Sequence, residues 1–211
     1  MSRLIVGCFI ALIHTGFTFA DKDAAIEPML VEVGSLLASE AIDGSGDLAA
    51  PFQVAKGAWK RVDGVIVGKE LAADEHAAVL SYQHPNRDSV VKFSFKVDGN
   101  TNGFHFSLNR KRGHLFRVIV TPDQMRMNLD KDKKDPKSKP IKLGEAKARF
   151  EPGKWYTMMI EMRGNKVVAQ TDNGAEVHAC REALDVDKPN YRFVMRGDSL
   201  CIDDLQIWEA K

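Results

Sequence analysis

The 211-residue sequence lacks a surplus of charge of either sign and lacks an apolar run long enough to span a bilayer. With 30 Lys and Arg against 29 Asp and Glu, neither a globally basic nucleic-acid binder nor an acidic disordered tail is expected. The apolar run Leu4 to Ile13 is about half of the roughly 20 residues a membrane helix needs. Arg3 precedes it and the small residues of Thr18-Phe19-Ala20 follow, so residues 1–20 read as an export signal cut after Ala20, with an uncleaved anchor as the alternative. The 191 residues that remain are neutral, predict no transmembrane span, and belong in a secreted or periplasmic location.

Cysteine is equally scarce. Cys8 leaves with the signal, so only Cys180 and Cys201 remain, an even pair in an oxidising compartment. A bond between them would close a loop of about 20 residues, for which chain entropy gives roughly 3 kcal/mol; the alternative is two buried thiols. No C-x-x-C or Cys/His spacing points to zinc.

Catalytic signatures are missing too: no G-x-S-x-G elbow, no H-E-x-x-H helix and no phosphate-loop motif occurs. Gly44 to Ala49 matches a dinucleotide fingerprint in letters only, because Ala50-Pro51 follows where a helix should begin. Asp130-x-Asp132 resembles the start of a calcium loop, but the turn Gly is absent and Lys134 stands at a ligand position. No cofactor is predicted, and calcium is an option without a supporting ligand set. A conventional glycosidase needs two carboxyl groups roughly 5 to 9.5 Å apart. No E-x-D strand supplies them; Glu161 stands alone, and Asp203-Asp204 is expected to point to opposite faces.

What the sequence does contain is short apolar stretches punctuated by turns such as Asp63-Gly64, Asn102-Gly103, Gly164-Asn165 and Asn173-Gly174. Phe93, Phe95 and Val97 alternate with polar residues, as do Phe104, Phe106 and Leu108, and Met125, Met127 and Leu129. Trp155 to Met162 is apolar at nearly every position, as in a strand buried on both faces. About eleven strands follow, and only Ile26 to Ile42 has room for a helix, part of which also suits a first strand. The prediction is one all-β domain, a two-sheet antiparallel jelly-roll sandwich over residues 34–211 behind an N-terminal segment, 21–33, and monomeric. The Lys-rich stretch 130–140 reads as a solvated excursion between strands.

One polar stripe is the candidate site. His105, Ser107 and Asn109 share a strand face, and the next strand starts at His114 and carries Arg117. The turn between them begins at Arg110 and is strongly basic through Arg112. Such groups orient polar ligands in clefts, although alternation alone also demands some hydrated face. Tyr82, with His84 beside it before Pro85, is the candidate sugar-stacking platform, whereas Trp59, Trp155 and Trp208 suit core packing better.

The run Gly57-Ala58-Trp59-Lys60-Arg61-Val62-Asp63-Gly64, the pair Phe93-Ser94-Phe95 and Gly103-Phe104-His105-Phe106, the segment Gly153-Lys154-Trp155-Tyr156, and the closing Ile202 to Trp208 together resemble a known group. It is the secreted concanavalin A-like domains, lectin- and laminin-G-like sandwiches, grouped as 3-keto-disaccharide hydrolase-like. The resemblance implies a jelly roll that meets a carbohydrate. Members that look enzymatic carry an Asn-Ser-Gly turn before the central strand and an acidic E-x-Q-x-x-D strand after it. Here the stretches read Asn100-Thr101-Asn102-Gly103 and His114 to Val120, so no catalytic carboxylate carries over. Three readings stay open: a glycan-binding sandwich; a hydrolase or lyase of 3-keto-disaccharides or other modified glycosides using His105 or His114, since histidine titrates near neutrality; and a structural domain of the cell envelope.

Overall fold

The computed structural model describes residues 26–211. The expected export signal, its cut after Ala20 and Cys8 lie outside the described residues. Along the chain run β1 (Val33–Glu40), β2 (Gly46–Asp47), β3 (Phe52–Lys56), β4 (Ala58–Val62), β5 (Val65–Lys69), β6 (Ala78–Tyr82), β7 (Ser89–Asp98) and β8 (Phe104–Asn109). They are followed by β9 (His114–Thr121), β10 (Gln124–Leu129), β11 (Ile141–Lys147), β12 (Tyr156–Arg163), β13 (Lys166–Thr171), β14 (Glu176–Cys180), β15 (Tyr191–Met195) and β16 (Ser199–Ala210). The helical elements among the described residues are single turns at Ala72–Asp74 and Glu182–Leu184, and no helix is long and apolar enough to cross a membrane. The helix allowed for at Ile26 to Ile42 does not form; β1 occupies its second half.

The strands make two antiparallel sheets, the jelly-roll sandwich expected from the alternation. One sheet runs β14-β13-β12-β7-β16-β5-β4-β2, with β1 also on β16; the other runs β11-β10-β9-β8-β15-β6-β3. The twelve-residue β16 serves two neighbours on one side because its pairing shifts between Asp203 and Gln206, where Asp204 takes φ 52°. Before that bulge it pairs with β5, and after it with β1.

The inward residues are those the period of two selects. Phe93 and Phe95 of β7 meet Phe104 and Phe106 of β8 and Phe193 of β15 across the sheets. Phe93 and Phe193 lie edge to face at 5.0 Å, and Phe95 and Phe104 at 4.7 Å, in the separation range where aromatic pairs add to burial.

β12 is buried on both faces, as its sequence predicts, and the cover is the N-terminal segment. Ile26, Val31 and Val33 pack with Trp208 on Val90, Met159 and Ala210, forming a small second core on the outside of the larger sheet. Glu161, fully buried between them, is not an idle strand-end acid. Its carboxylate accepts the backbone N–H groups of Met29, Leu30 and Val31 at 2.9, 2.8 and 3.1 Å, which ties the segment down.

The disulfide expected between Cys180 and Cys201 is corrected: both cysteines are free, one exposed and one buried. Cys180 ends β14 and Cys201 lies in β16, with β13, β12 and β7 between them. At about 4.8 Å per strand step that is roughly 19 Å, far beyond the reach of a disulfide.

Candidate functional site

The polar stripe of β8 faces outward from the smaller sheet. Phe104, Phe106 and Leu108 point to the core, so His105, Ser107 and Asn109 must point the other way. Gly103 immediately precedes this strand at φ 119°, and a Cβ there would meet the Val120 carbonyl oxygen at 1.9 Å, so the close approach of the chain to β9 requires glycine.

Cross-strand register extends the stripe into a field. Ser107 lies opposite Arg117 of β9 and Arg192 of β15, and Arg117 lies opposite Asn128 of β10. In the next row His105 lies opposite Ile119 and Val194, and Ile119 opposite Arg126. Although this is an outer face, Ser107 is only 4% exposed, sunk between longer side chains. Three polar atoms within the field, Ser107 Oγ, Arg126 Nε and Asn128 Oδ1, are buried with no hydrogen-bond partner among the described residues. Such atoms cost about 1–3 kcal/mol each while unsatisfied.

The two histidines stand at different ends. His114 pairs with Asn109, four residues along β8 from His105, so they are roughly 13 Å apart at about 3.3 Å per residue. They do not form one acid–base pair. His105 borders a cavity of about 480 Å³ whose wall includes Glu70, Asn100, Asn102, Thr121 and Arg196. Glu70 is already engaged there, accepting from Arg196 Nη1 at 2.7 Å and Gly197 N at 3.0 Å. Burial, then the Arg117 and Arg126 guanidiniums, push the His105 imidazole down to about 4, so it is neutral at pH 7.

His114 sits in a network. Its Nδ1 lies 2.9 Å from Asn109 Oδ1 and 3.0 Å from Arg192 Nη1. It serves one at a time, as donor to the first or acceptor from the second. Burial and then Arg192 lower its basicity also. Asn109 donates to Asn190 Oδ1 at 3.1 Å, and Arg192 reaches Asn109 Oδ1 at 3.4 Å. Arg117 forms a two-bond pair with Asp130, with Nε to Oδ2 at 3.1 Å.

Of the residues singled out from sequence, His105, Ser107, Asn109, His114 and Arg117 share this face. Arg110 borders it, donating from Nε to the His114 carbonyl at 3.1 Å and approaching Asp132 at 3.6 Å. Tyr82 is corrected: it is 2% exposed, points into the core, donates from its hydroxyl to Glu40 at 2.6 Å and meets Phe52 edge-on, so it offers no stacking platform. His84 is half-buried beside Tyr82 and Tyr191, on the inward side of their strands. Residues missed from sequence are Arg126, Asn128, Asp130 and Arg192. The alternation of β10 already puts Arg126 and Asn128 on an outer face, but which strands flank β8 is not written in any local pattern.

No group of three metal-ligating side chains occurs among the described residues. No curated protein matches the sequence. Solved structures do match in fold. The carbohydrate-binding module CBM66 from Bacillus subtilis superposes with a TM-score of 0.57 at 10% identity, over 75% of this chain and 95% of that one. SCLam, a non-specific endo-beta-1,3(4)-glucanase from family GH16, gives 0.64 at 10% identity, over 88% and 95%. LamAcat from Zobellia galactanivorans gives 0.59 at 10% identity, over 83% and 98%. These identities speak for the shared sandwich alone. The sequence pattern is more particular: the family described as the 3-keto-alpha-glucoside-1,2-lyase-like domain matches residues 38–192, a span that holds β8, β9, β10 and Arg192 together, and the chain belongs to that family.

Proposed function

We propose that the outer face of the smaller sheet binds a carbohydrate in a secreted or periplasmic setting. The observation that carries this reading is the set of orphaned polar atoms, Ser107 Oγ, Arg126 Nε and Asn128 Oδ1, gathered in one field with His105 and Arg192. Sugar hydroxyls are both donors and acceptors, the chemistry these atoms lack, and they reach them once the longer side chains above move aside. The fold's likeness to a carbohydrate-binding module and to a glucanase agrees with this use of the sandwich. Removing an orphaned group that waits for a ligand should spare the fold and harm binding. The test is a glycan array followed by calorimetry on Ser107→Ala and Asn128→Ala. Weaker glycan binding with melting temperature unchanged or raised supports the reading; unchanged binding in both variants ends it.

A second reading, elimination on a 3-keto-glycoside, is favoured by the state of His105. The imidazole is unprotonated and so accepts the proton from the carbon between the sugar ketone and the glycosidic carbon, while a guanidinium holds the charge on the resulting enolate oxygen. The enolate then expels the glycosidic oxygen, which leaves as the alcohol with a proton from water. The lowered basicity makes His105 a slow base for this step. Turnover of a 3-keto-disaccharide that disappears in His105→Gln supports it. Turnover that survives that change, or none in the parent chain, removes it.

A further inference from the structure

The charges on this face specify the ligand further, on the footing that the face binds a saccharide at all. Three guanidiniums stand on it, Arg126 on β10, Arg117 on β9 and Arg192 on β15, with two carboxylates, Asp130 just after β10 and Glu145 of β11, which lies opposite Arg126 but pairs with Lys142 at 2.9 Å. Arg117 consumes Asp130 with its two bonds. Arg126 Nε has no hydrogen-bond partner, and Arg192 spends its Nη1 on neutral atoms, Asn109 Oδ1 and His114 Nδ1. Neither Arg126 nor Arg192 has a carboxylate at ion-pair distance among the described residues.

Cations held together in a partly dry place repel one another unless an anion joins them. The strain shows on the neighbours: after burial, Arg117 is the charge that most disfavours a proton on both His105 and Arg192. The strand order β10-β9-β8-β15 puts the centre of the face, over Ser107 and His105, between Arg192 on the adjacent strand and, beyond the occupied Arg117, Arg126 two strands away in the His105 row. A guanidinium fork matches a planar or tetrahedral oxyanion better than it matches a hydroxyl.

We propose that the saccharide held on this face carries a negative group, a carboxylate or a sulfate, seated over Ser107 between Arg126 and Arg192. The exposed tip residues Lys111 and Arg112 are a separate matter, because charges at a solvated hairpin attract any polyanion and are screened by salt.

The experiment titrates the chain lacking residues 1–20 with three probes of similar length: a galacturonate trimer, a sulfated oligosaccharide and neutral laminaritriose. An acidic probe is expected to bind roughly 10- to 100-fold more tightly than the neutral one, the usual worth of a charge-assisted contact. Arg126→Gln and Arg192→Gln should each weaken the acidic probe about tenfold, with melting curves confirming that both stay folded. The Lys111→Gln, Arg112→Gln double variant should retain most of the binding. Carboxylate and sulfate probes separate the two sources of charge, and preference for either supports the proposal. Neutral laminaritriose bound as tightly as the acidic probes overturns it while leaving carbohydrate binding intact. Loss that follows the tip variant instead of the two sheet arginines overturns the placement, and no binding by any probe overturns both this proposal and the reading beneath it. The comparison of acidic with neutral probes on the parent chain holds even if a variant fails to fold.

Discussion

Arg117, in the middle of β9, holds Asp130, the first residue after β10, through two hydrogen bonds, while the Asp130 side chain is only 11% exposed. This pair joins the polar face to the Lys-rich excursion that follows. It is a bidentate contact with little water at its acidic end, unlike the exposed pairs elsewhere on the surface. Asp130→Asn should destabilise the fold by about 1–3 kcal/mol, because it leaves a guanidinium without its anion. Urea unfolding measures that loss, and hydrogen exchange should show residues 131–140 opening more readily than the strands they join. An unchanged midpoint would mean that the pair is fully compensated by solvent.

His105 gives the face an acid limit. Its folded value is near 4 against an ordinary 6.5, so the native state favours the neutral ring. A lowered histidine contributes stability that is present above its unfolded value and is lost as pH falls from about 6.5 toward 4, since the unfolded chain takes up the proton first. The contribution is roughly 2–3 kcal/mol, allowing for solvent at the partly exposed ring. His114 shifts in the same direction, so its effect adds. Denaturation midpoints measured across that window should fall steeply in the parent chain and much less steeply in His105→Gln. Parallel curves would refute the buried neutral ring.

Much of this arrangement is legible in the sequence, and the parts that are not share a physical cause. β7, β8, β10 and β15 announce themselves because each has a dry face and a wet face, and the period of two survives in the letters. β3, β11 and β14 do not, because they lie at sheet ends and are largely exposed: Gln53 to Lys56 is open to solvent, and so are Ile141 and Lys142. Missing β3 has a direct cost at Tyr82. Phe52 of β3 pairs with Tyr82 and turns a seemingly exposed strand end into core. Arg192 is invisible for a different reason. It joins His114 from 78 positions away, through the pairing of β15 with β8, which no local pattern encodes. The cysteines mislead likewise, since a short separation in sequence says nothing of the three strands between them.

Those thiols should differ in reactivity. Cys180 is exposed, while Cys201 is buried and its thiol is pushed up by that burial. In the chain lacking residues 1–20, a thiol reagent under native conditions should modify Cys180 promptly and Cys201 only on unfolding, because the thiolate is the reacting species. Mass spectrometry locates the label. Equal labelling, or no labelling of denatured unreduced protein, would contradict two free thiols of unequal access.

Trp59 and Gly68 face each other across β4 and β5, and the indole lies where a side chain at Gly68 would go. A Cβ there would approach Trp59 Cζ3 to 2.3 Å. The ring cannot readily move aside: it is 4% exposed, and its Nε1 donates to the Lys56 carbonyl at 3.1 Å. Gly68→Ala should therefore cost about 1–3 kcal/mol through overpacking. Adding Trp59→Leu in the same chain should recover part of that cost, a coupling read by comparing melting of the single and double variants.

Glu161 offers the sharpest test of what the N-terminal segment contributes. Its carboxylate is fully buried and is satisfied by three backbone N–H groups of Met29, Leu30 and Val31. Those donors belong to no strand, so without the carboxylate they have only water to turn to, and reaching water means lifting the segment from Val90 and Met159. Loss of the anchor and exposure of the small apolar cluster are thus one event. Glu161→Ala should cost about 2–4 kcal/mol, with amide exchange at Met29, Leu30 and Val31 rising far more than exchange in β8 and β15. Glu161→Gln keeps one acceptor oxygen but presents an N–H to donors, so it should fall between Ala and the parent. Because the segment lies on the larger sheet and the polar face on the smaller one, saccharide binding should persist in both variants at temperatures where they stay folded. A binding loss equal to that of Arg126→Gln would show that the two faces of the sandwich are coupled.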